Sequence, residues 1–248
     1  MVEEPMNNVL EVRDVSKSFR GVHALSDVEL DVEEGSILGV IGPNGAGKTT
    51  FFNVIAGALK PDTGRVHLFG KDITGHSPHR VAHAGMGRTF QLMRPFGSMT
   101  ARENVITAAL TRGGNHRAAA RRADEVIEAT GMGTWADAVS DSLHTAALKR
   151  LELARVLATS PRLLLLDEVL AGLVPSERAP VVELLAELRE KEGLTLVFVE
   201  HIMQAVMRLS DSVVVFDRGR IIASGAPADV VADPVVIEAY LGQELPGA

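Results

Sequence analysis

The stretch Gly42-Pro43-Asn44-Gly45-Ala46-Gly47-Lys48-Thr49-Thr50 is the most informative part of this chain. It follows a short apolar run, residues 37–41, which is typical of a buried parallel strand. It precedes apolar residues at helical spacing over residues 48–59. From Gly42 to Thr49 the stretch matches the pattern of a loop that wraps nucleotide phosphates. The alternative is an incidental glycine-rich turn, but strand, loop, Lys-Thr pair and helix in register favour a phosphate loop.

The residue types in this loop suit an anion. Glycines at 42, 45 and 47 allow the backbone to bend so that successive N–H groups point at the phosphates. The helix that follows adds the positive end of its dipole. Lys48 supplies a mobile positive charge for the terminal phosphates, and the Thr49 hydroxyl can bind Mg²⁺. We therefore expect all nine residues to contact a nucleotide.

A second motif points from nucleotide binding to hydrolysis. The apolar run at residues 163–166 is followed at once by Asp167 and Glu168. A buried strand that ends in two acids places carboxylates at the sheet edge where ligands of open α/β folds bind. Asp167 is then a candidate Mg²⁺ ligand, and Glu168 a candidate base for the water that attacks the γ-phosphate. The alternative is that the acids cap a helix N-terminus.

Composition limits the class of protein. With 248 residues and 46% hydrophobic content, the chain can bury one good core, with or without a smaller lobe. A net charge of −7 argues against a nucleic-acid binder with a broad basic face, and a solvated helix face explains the basic cluster Arg117, Arg121 and Arg122. There is no cysteine for a disulfide or thiolate metal site. We expect neither a signal peptide nor a membrane span, since no apolar run approaches roughly 18 residues.

The order of patterns predicts an α/β fold with a mainly parallel sheet and helices on both faces. Strand-like alternation near the N-terminus predicts an antiparallel β layer at residues 9–15, 28–32 and 66–69. Helical patterns cover residues 100–130, with a break at Gly113-Gly114, and residues 148–159. After Asp167, helices and strands alternate at residues 177–192, 194–199, 202–209 and 212–216. We expect one domain over 1–248, in which 1–94 and 161–248 form the nucleotide-binding core and 95–160 a helical insertion.

Two isolated polar residues are further candidates. Gln91 lies in a loop that leads into the helical insertion, from which it could reach Mg²⁺ or the attacking water. His201 follows an apolar strand at the same predicted sheet edge as Asp167, where it could hydrogen-bond a γ-phosphate and sense its loss. Taken alone, each has an ordinary alternative: a solvated glutamine, and a structural histidine at a strand end.

The motifs together resemble ATP-binding-cassette ATPases, whose fold is that of P-loop NTPases. The resemblance covers nearly the whole chain, because the motifs occur in the family's order: the phosphate loop, 89–91 (Thr-Phe-Gln), 149–155 (Lys-Arg-Leu-Glu-Leu-Ala-Arg), 163–168 and 200–201 (Glu-His). By this resemblance Phe19 stacks on adenine, Gln91 is the Q-loop glutamine, and His201 is the switch histidine. The implied cofactors are ATP and Mg²⁺, the metal being served by Thr49, Gln91 and Asp167, with Glu168 and His201 as the catalytic residues.

Within that family the chain looks like branched-chain amino acid importer subunits. The similarity lies in residues 88–91, 99–105, 171–173 and 236–242. Such subunits work as head-to-tail pairs beneath two transmembrane permease subunits, to which a binding protein delivers the substrate. The resemblance therefore implies a second ATPase subunit, the same or different, and no nucleic acid. It also implies a cytoplasmic location, peripheral on the inner face of the cell membrane through the permease.

The chain departs from the family in segments that act across the pair. The family's Leu-Ser-Gly-Gly-Gln signature aligns with 143–147 (Leu-His-Thr-Ala-Ala), which keeps only the first residue. Val174 stands where an Asp or Asn is usual, and Val169 replaces a proline, a change with little bearing on the chemistry. Two readings of the signature segment stay open: His144 or Thr145 substitutes as a phosphate donor, or the segment is structural.

The resulting hypothesis is an ATPase subunit that energises an importer, with substrate choice made by other polypeptides. The alternative hypothesis is a regulatory subunit that binds ATP and barely hydrolyses it. The poorly matching signature favours this alternative, whereas the presence of Glu168 and His201 argues against it. A chromosome- or repair-associated ATPase lacks support, because no coiled-coil insertion or basic face is evident.

We also expect docking on a membrane partner near Arg94-Pro95-Phe96. The alternative is that Phe96 belongs to the insertion's own core.

Overall fold

The computed structural model describes residues 7–89 and 95–241. Its strands are β1 (Asn8–Phe19), β2 (Val22–Glu33), β3 (Ile37–Ile41), β4 (Thr63–Leu68), β5 (Lys71–Asp72), β6 (Met86–Arg88), β7 (Leu163–Asp167), β8 (Thr195–Val199), β9 (Ser212–Asp217) and β10 (Arg220–Gly225). Its α-helices are α1 (Lys48–Ile55), α2 (Pro78–His83), α3 (Ala101–Leu110), α4 (His116–Ala129), α5 (Thr145–Leu157), α6 (Pro175–Glu192), α7 (Met203–Leu209), α8 (Pro227–Ala232) and α9 (Pro234–Leu241).

The chain divides into two compact units. The first comprises Met1–Ala84 with Leu194–Ala248, and the second comprises Gly85–Gly193. The segment 95–160, expected as a helical insertion, lies within the second unit together with β6, β7 and α6. The expected boundaries at residues 95 and 160 stay a prediction, since compactness alone does not define the ends of an insertion.

An antiparallel sheet in the first unit has the strand order β2-β1-β4-β5. Val12 of β1 pairs with Leu30 of β2, and both side chains are buried. The neighbours of Leu30, Glu29 and Asp31, are exposed, so one face of the sheet meets the core and the other meets water. This confirms the predicted N-terminal antiparallel layer.

The first unit also holds parallel strands, in the order β10-β9-β3-β8. The central strand β3 runs parallel to both β8 and β9, while β10 pairs with β9 as an antiparallel edge. Every residue of β3 and β8 is buried, as the continuous apolar runs predict for covered strands. Helix α1 supplies part of that cover: Phe51 is fully buried, and its ring centroid lies 5.2 Å from that of Phe216.

The second unit combines the parallel pair β6–β7 with helices α3 to α6. Helix α3 begins at a reciprocal cap in which Thr100 accepts from the Glu103 N–H while the Glu103 carboxylate accepts from the Thr100 N–H. Helix α4 is capped by the Asn115 side chain. The predicted break at Gly113-Gly114 is confirmed, because both glycines have positive φ and separate α3 from α4.

Several element ends differ from the sequence patterns. Helix α1 ends at Ile55 instead of continuing to residue 59, because Gly57 turns the chain with a φ of 75°. A Cβ at Gly57 would clash with the His76 carbonyl oxygen, so the turn requires glycine there. The patterns did not predict β5, α2, β6, β10, α8 or α9. Over residues 7–89 and 95–241, no helix is long and apolar enough to cross a membrane.

Candidate nucleotide site

The predicted phosphate loop joins β3 to α1 in the first unit. Gly42 and Gly47 have φ values of 144° and 106°, which only glycine adopts without strain. A Cβ at Gly42 would clash with the Phe216 carbonyl oxygen, and one at Gly47 would lie 2.5 Å from the Ala24 carbonyl oxygen. The backbone of the loop is therefore packed against the backbone of two strands, which fixes its curvature.

Hydrogen bonds from outside the loop hold it in this shape. The Gly219 N–H donates to the Ala46 carbonyl oxygen at 2.9 Å, and the Gly219 carbonyl accepts from the Ser26 N–H at 2.8 Å. Gly47 is the N-cap of α1 and brings no side-chain acceptor to the first turn. The first N–H groups of α1 therefore suit an anion at the helix N-terminus.

Lys48 is folded over its own loop. Its ammonium donates to the carbonyl oxygens of Gly42 at 2.5 Å and Pro43 at 2.8 Å, and the side chain is half-buried. A bound phosphate would compete for these hydrogens and extend the charge into the loop. The next residue, Thr49, is exposed at the first turn of α1, where its hydroxyl is accessible to a metal ion.

Phe19 is the last residue of β1 and is 43% exposed, as a stacking platform requires. The end of β1 is held by Asp62, which accepts from Lys17 at 2.6 Å and from the Ser18 N–H at 2.7 Å. The Lys17 hydrogen bond, followed by that from Ser18, lowers the pKa of Asp62 below its ordinary value. The Lys17 ammonium also lies over the Phe19 ring, 5.6 Å from its centroid. The end of β1 that carries this ring is therefore anchored.

His201 lies at the same sheet edge as the phosphate loop, within the first unit. Strands β3 and β8 run parallel with Val40 opposite Val199, so the residues after each strand emerge at one edge. Glu200 is buried and His201 is exposed. The structure thus brings His201 to the edge that carries the phosphate loop. Its predicted place at the same edge as Asp167 stays a prediction.

Tyr240 is a neighbour of the phosphate loop that the sequence patterns missed. It lies in α9, a helix that packs against β10 and α8. Burial raises the pKa of the Tyr240 hydroxyl, and a backbone hydrogen bond from Gly42 opposes that rise. The contact joins residues almost 200 positions apart, so local periodicity carries no signal for it.

Asp167 ends β7 in the second unit and is paired there with a cation. Its side chain is 9% exposed, and Oδ2 accepts from Arg88 Nη2 at 3.0 Å. The Asp167 N–H donates to Thr89 Oγ1 at 3.2 Å. Helix α6 begins only at Pro175, after the N-cap Val174, so neither Asp167 nor Glu168 caps a helix and that alternative is wrong.

Glu168 occupies a strained position beside Asp167. It has a φ of 49°, in the left-handed region that non-glycine residues rarely adopt, and its side chain is half-buried. Its carbonyl oxygen accepts from Lys149 Nζ at 3.1 Å and from the Ala171 N–H at 3.1 Å. A specific backbone conformation held by a helix on one side and a turn on the other is typical of a functional residue.

The segment that aligns with the family signature forms the start of α5. His144 is the N-cap, but no side-chain cap is made, and Thr145 is the first helical residue. The His144 ring packs edge-on against Trp135, with centroids 5.5 Å apart, and both His144 and Thr145 are exposed. The predicted Gln91, and Arg94 of the predicted docking segment, lie outside the described residues.

Comparison with known proteins gives the family. The family model described as "ABC transporter" matches residues 25–171, more than half of the chain. The chain belongs to the ATP-binding-cassette family. A second model, "Branched-chain amino acid ATP-binding cassette transporter", matches residues 220–245. The expected family and α/β P-loop fold are therefore confirmed.

Relatives and solved structures agree over nearly the full length. The high-affinity branched-chain amino acid transport ATP-binding protein BraF of Pseudomonas aeruginosa is 38% identical over 95% of this chain and 98% of its own. A crystal structure of a nucleotide-free ATP-binding cassette from an ABC transporter superposes with a TM-score of 0.87 at 31% identity, over 95% of this cassette and 100% of that chain. The crystal structure of an ATP-binding cassette in its ADP conformation superposes with a TM-score of 0.86 at 32% identity, over 95% of this chain and 99% of that chain.

Proposed function

We propose that this cassette binds and hydrolyses ATP to energise an importer of branched-chain or related hydrophobic amino acids. One observation carries the proposal: a relative that aligns over 98% of its own length is named for branched-chain amino acid transport. The phosphate loop supports nucleotide binding, because its glycines hold the positive φ values that an anion cradle needs. The C-terminal match over residues 220–245 supports the same transport class.

In the proposed chemistry, Lys48 and backbone N–H groups of the phosphate loop other than that of Pro43, which has none, bind the phosphates. Phe19 stacks on adenine. Glu168 accepts a proton from the attacking water, and His201 hydrogen-bonds the γ-phosphate. Gln91 is proposed, from the family motif, to contact the metal or the water. Family membership supports these roles, and the local geometry of each unit agrees with those proposed for the described residues.

The chain's oxygen ligands fit Mg²⁺. We propose that the Thr49 hydroxyl, the Asp167 carboxylate and Gln91 serve the ion, which bound to ATP would neutralise developing phosphate charge. In the part of the chain that the structure describes, no cluster of three His, Cys, Asp or Glu side chains could hold a metal alone. The ion would thus depend on phosphate oxygens, as Mg²⁺ in nucleotide sites does.

Partners follow from the proposed transport role. We propose two transmembrane permease subunits, a second cassette, identical or different, and indirectly a substrate-binding protein. The cassette would then lie in the cytoplasm, on the inner face of the cell membrane.

Phe96 supports a docking surface in the second unit: the residue is 49% exposed, so it does not belong to the unit's core. Its backbone is fixed by two hydrogen bonds with buried Asn104, and Arg155 lies 5.7 Å from the ring centroid.

The second candidate function is an ATP-binding regulatory subunit with little hydrolysis of its own. The observation that favours it is the start of α5, where His144, Thr145 and Ala146 replace the serine and glycines of the family signature. Hydrolysis remains the better-supported function, because the chain keeps both Glu168 and His201, which a pure ATP binder does not need.

The decisive experiment is reconstitution. The cassette, co-purified with the membrane proteins that accompany it, is placed in liposomes with an amino-acid binding protein outside and ATP inside. The proposal expects leucine, isoleucine or valine uptake that requires ATP and stops with Glu168→Gln. Uptake that persists in that variant would contradict the assigned base, and ATP binding without turnover in the parent complex would favour the regulatory function.

A further inference from the structure

The carboxylate proposed to serve Mg²⁺ already has a cationic partner within the second unit. Arg88 Nη2 donates to Asp167 Oδ2 at 3.0 Å, and the two side chains are only 10% and 9% exposed. Arg88 is the last residue of β6 and Asp167 the last residue of β7, two strands that pair in parallel. Because little water screens the pair, its charges interact more strongly than those of a surface ion pair.

The backbone on both sides of this pair is fixed. The Thr89 N–H donates to the Leu165 carbonyl oxygen at 2.9 Å, and the Asp167 N–H donates to Thr89 Oγ1 at 3.2 Å. Thr89 itself is 2% exposed. The strand ends therefore hold Arg88 and Asp167 together, unlike two long surface side chains that must lose entropy to meet.

The pair has opposite consequences for metal-free and metal-bound nucleotide. A carboxylate removed from water is costly unless a charge or hydrogen bonds compensate it. Metal-free ATP brings further negative charge, which an uncompensated Asp167 would repel. The Mg²⁺ complex brings two positive charges to the same carboxylate, and the Arg88 guanidinium repels them.

We propose that Arg88 is a positioning residue that acts as the counter-ion of Asp167 in the metal-free state. It thereby limits how strongly nucleotide binding depends on Mg²⁺. The inference rests on the proposed function, in which Asp167 serves the metal of the ATP complex. Without Arg88, metal-free nucleotide would meet an uncompensated carboxylate and bind more weakly. The Mg²⁺ complex would lose a repelling charge and bind more tightly, so the two affinities would differ more.

The test measures binding, not turnover. The Kd of the full chain for trinitrophenyl-ATP is determined in EDTA and in Mg²⁺. The readout is the Kd in EDTA divided by the Kd in Mg²⁺. Arg88→Gln is expected to raise this ratio about tenfold or more, within the usual range of coupling between two ligands. Arg88→Lys keeps the charge and is expected to stay near the parent. The matched control is Arg102→Gln, which breaks the exposed Arg102–Asp124 pair of the same unit and should leave the ratio unchanged.

A double-mutant comparison isolates the pair. Asp167→Asn removes the carboxylate, so adding Arg88→Gln to it should change the ratio much less than in the parent, because only the direct repulsion between Arg88 and the metal is then lost. Arg88→Met is a second neutral variant, should the glutamine variant not fold. A ratio at or below the parent value in the neutral variants overturns the inference, as does a lysine variant that behaves like glutamine. A parent chain that binds no nucleotide overturns the proposed function itself, which is a different result.

Discussion

The ammonium of Lys149 lies 3.1 Å from the carbonyl oxygen of Glu168, so α5 holds the backbone of the proposed catalytic base. The same oxygen accepts from the Ala171 N–H, and Glu168 keeps a left-handed φ of 49°. Such a conformation persists only where its surroundings determine it. The helix that begins with the signature segment is thus tied, within one unit, to the position of Glu168.

Lys149→Met should lower turnover and leave ATP affinity almost unchanged. The substitution keeps the aliphatic stem but removes the charged donor, so the Glu168 carboxylate is less accurately placed; we expect a kcat about tenfold lower, since small misplacements of reacting groups are costly. The measurement is steady-state ATPase activity of the assembled complex. Lys191→Met is the control, because Lys191 pairs with Glu187 on the exposed face of α6. Equal losses in both variants would argue against a role for the Lys149 contact.

Lys48→Ala should weaken ATP binding. The ammonium that now contacts the Gly42 and Pro43 carbonyls would otherwise reach the terminal phosphates, and hydrogen bonds to charged groups contribute about 1.5–3 kcal/mol. We expect the Kd for ATP to rise about tenfold to a hundredfold, measured with the purified cassette. Lys71→Ala on β5, an exposed position of the same unit, should bind like the parent. Undiminished affinity in Lys48→Ala would show that this loop is not the nucleotide site.

The phosphate loop could be predicted from sequence because its signal is local: glycines, lysine and threonine at fixed spacing between a strand and a helix. The antiparallel layer and the break between α3 and α4 were predictable for the same reason. The partners of Asp167 and Glu168 were not, since Arg88 lies 79 residues from Asp167 and Lys149 lies 19 from Glu168. Such contacts depend on strand order and helix packing, which periodicity does not encode.

Glu168→Gln should preserve ATP binding and stop hydrolysis. The amide has nearly the same shape as the carboxylate but cannot accept the proton of the attacking water. We expect an unchanged Kd for ATP and a kcat lower by about 10²-fold or more, in line with the usual contribution of a general base. The two quantities are measured on the same preparation of the assembled complex. Parent-like hydrolysis in this variant would refute the assignment of the base.

A photo-cross-linker at position 96 should attach to a transmembrane subunit, and the yield should change when ATP is added. Phe96 is exposed while Asn104 fixes its backbone, so a benzoylphenylalanine there presents its ketone without disturbing the unit's core. The control places the cross-linker at position 207, where Met207 is exposed. This variant should give no cross-link to a transmembrane subunit. Cross-links that ignore ATP, or that reach only soluble proteins, would count against the docking surface.

The chain combines an intact phosphate loop with an altered signature segment. In a head-to-tail pair, each nucleotide meets the phosphate loop of one chain and the signature of the other. If the partner is a different cassette with Ser and Gly in its signature, ATP on Lys48 would meet good donors, whereas ATP on the partner's loop would face His144 and Thr145. Loss of one oriented donor to a developing oxyanion lowers a rate by about 10²-fold or more. The two sites should therefore hydrolyse ATP at clearly unequal rates, and a homodimer should be slow at both.

Restoring the signature tests this asymmetry. The triple variant His144→Ser, Thr145→Gly, Ala146→Gly should raise ATPase activity, because the start of α5 regains a hydroxyl donor and flexible backbone N–H groups. In the unmodified complex, Glu168→Gln should abolish most turnover, while the matching change in a different partner should cost little. Trp135 is the chain's only tryptophan and packs on His144, so its fluorescence reports whether ATP on the partner reaches this segment. Unchanged activity on restoration, with equal losses from either glutamate, would mean that His144 and Thr145 already serve as donors and that the two sites are equivalent.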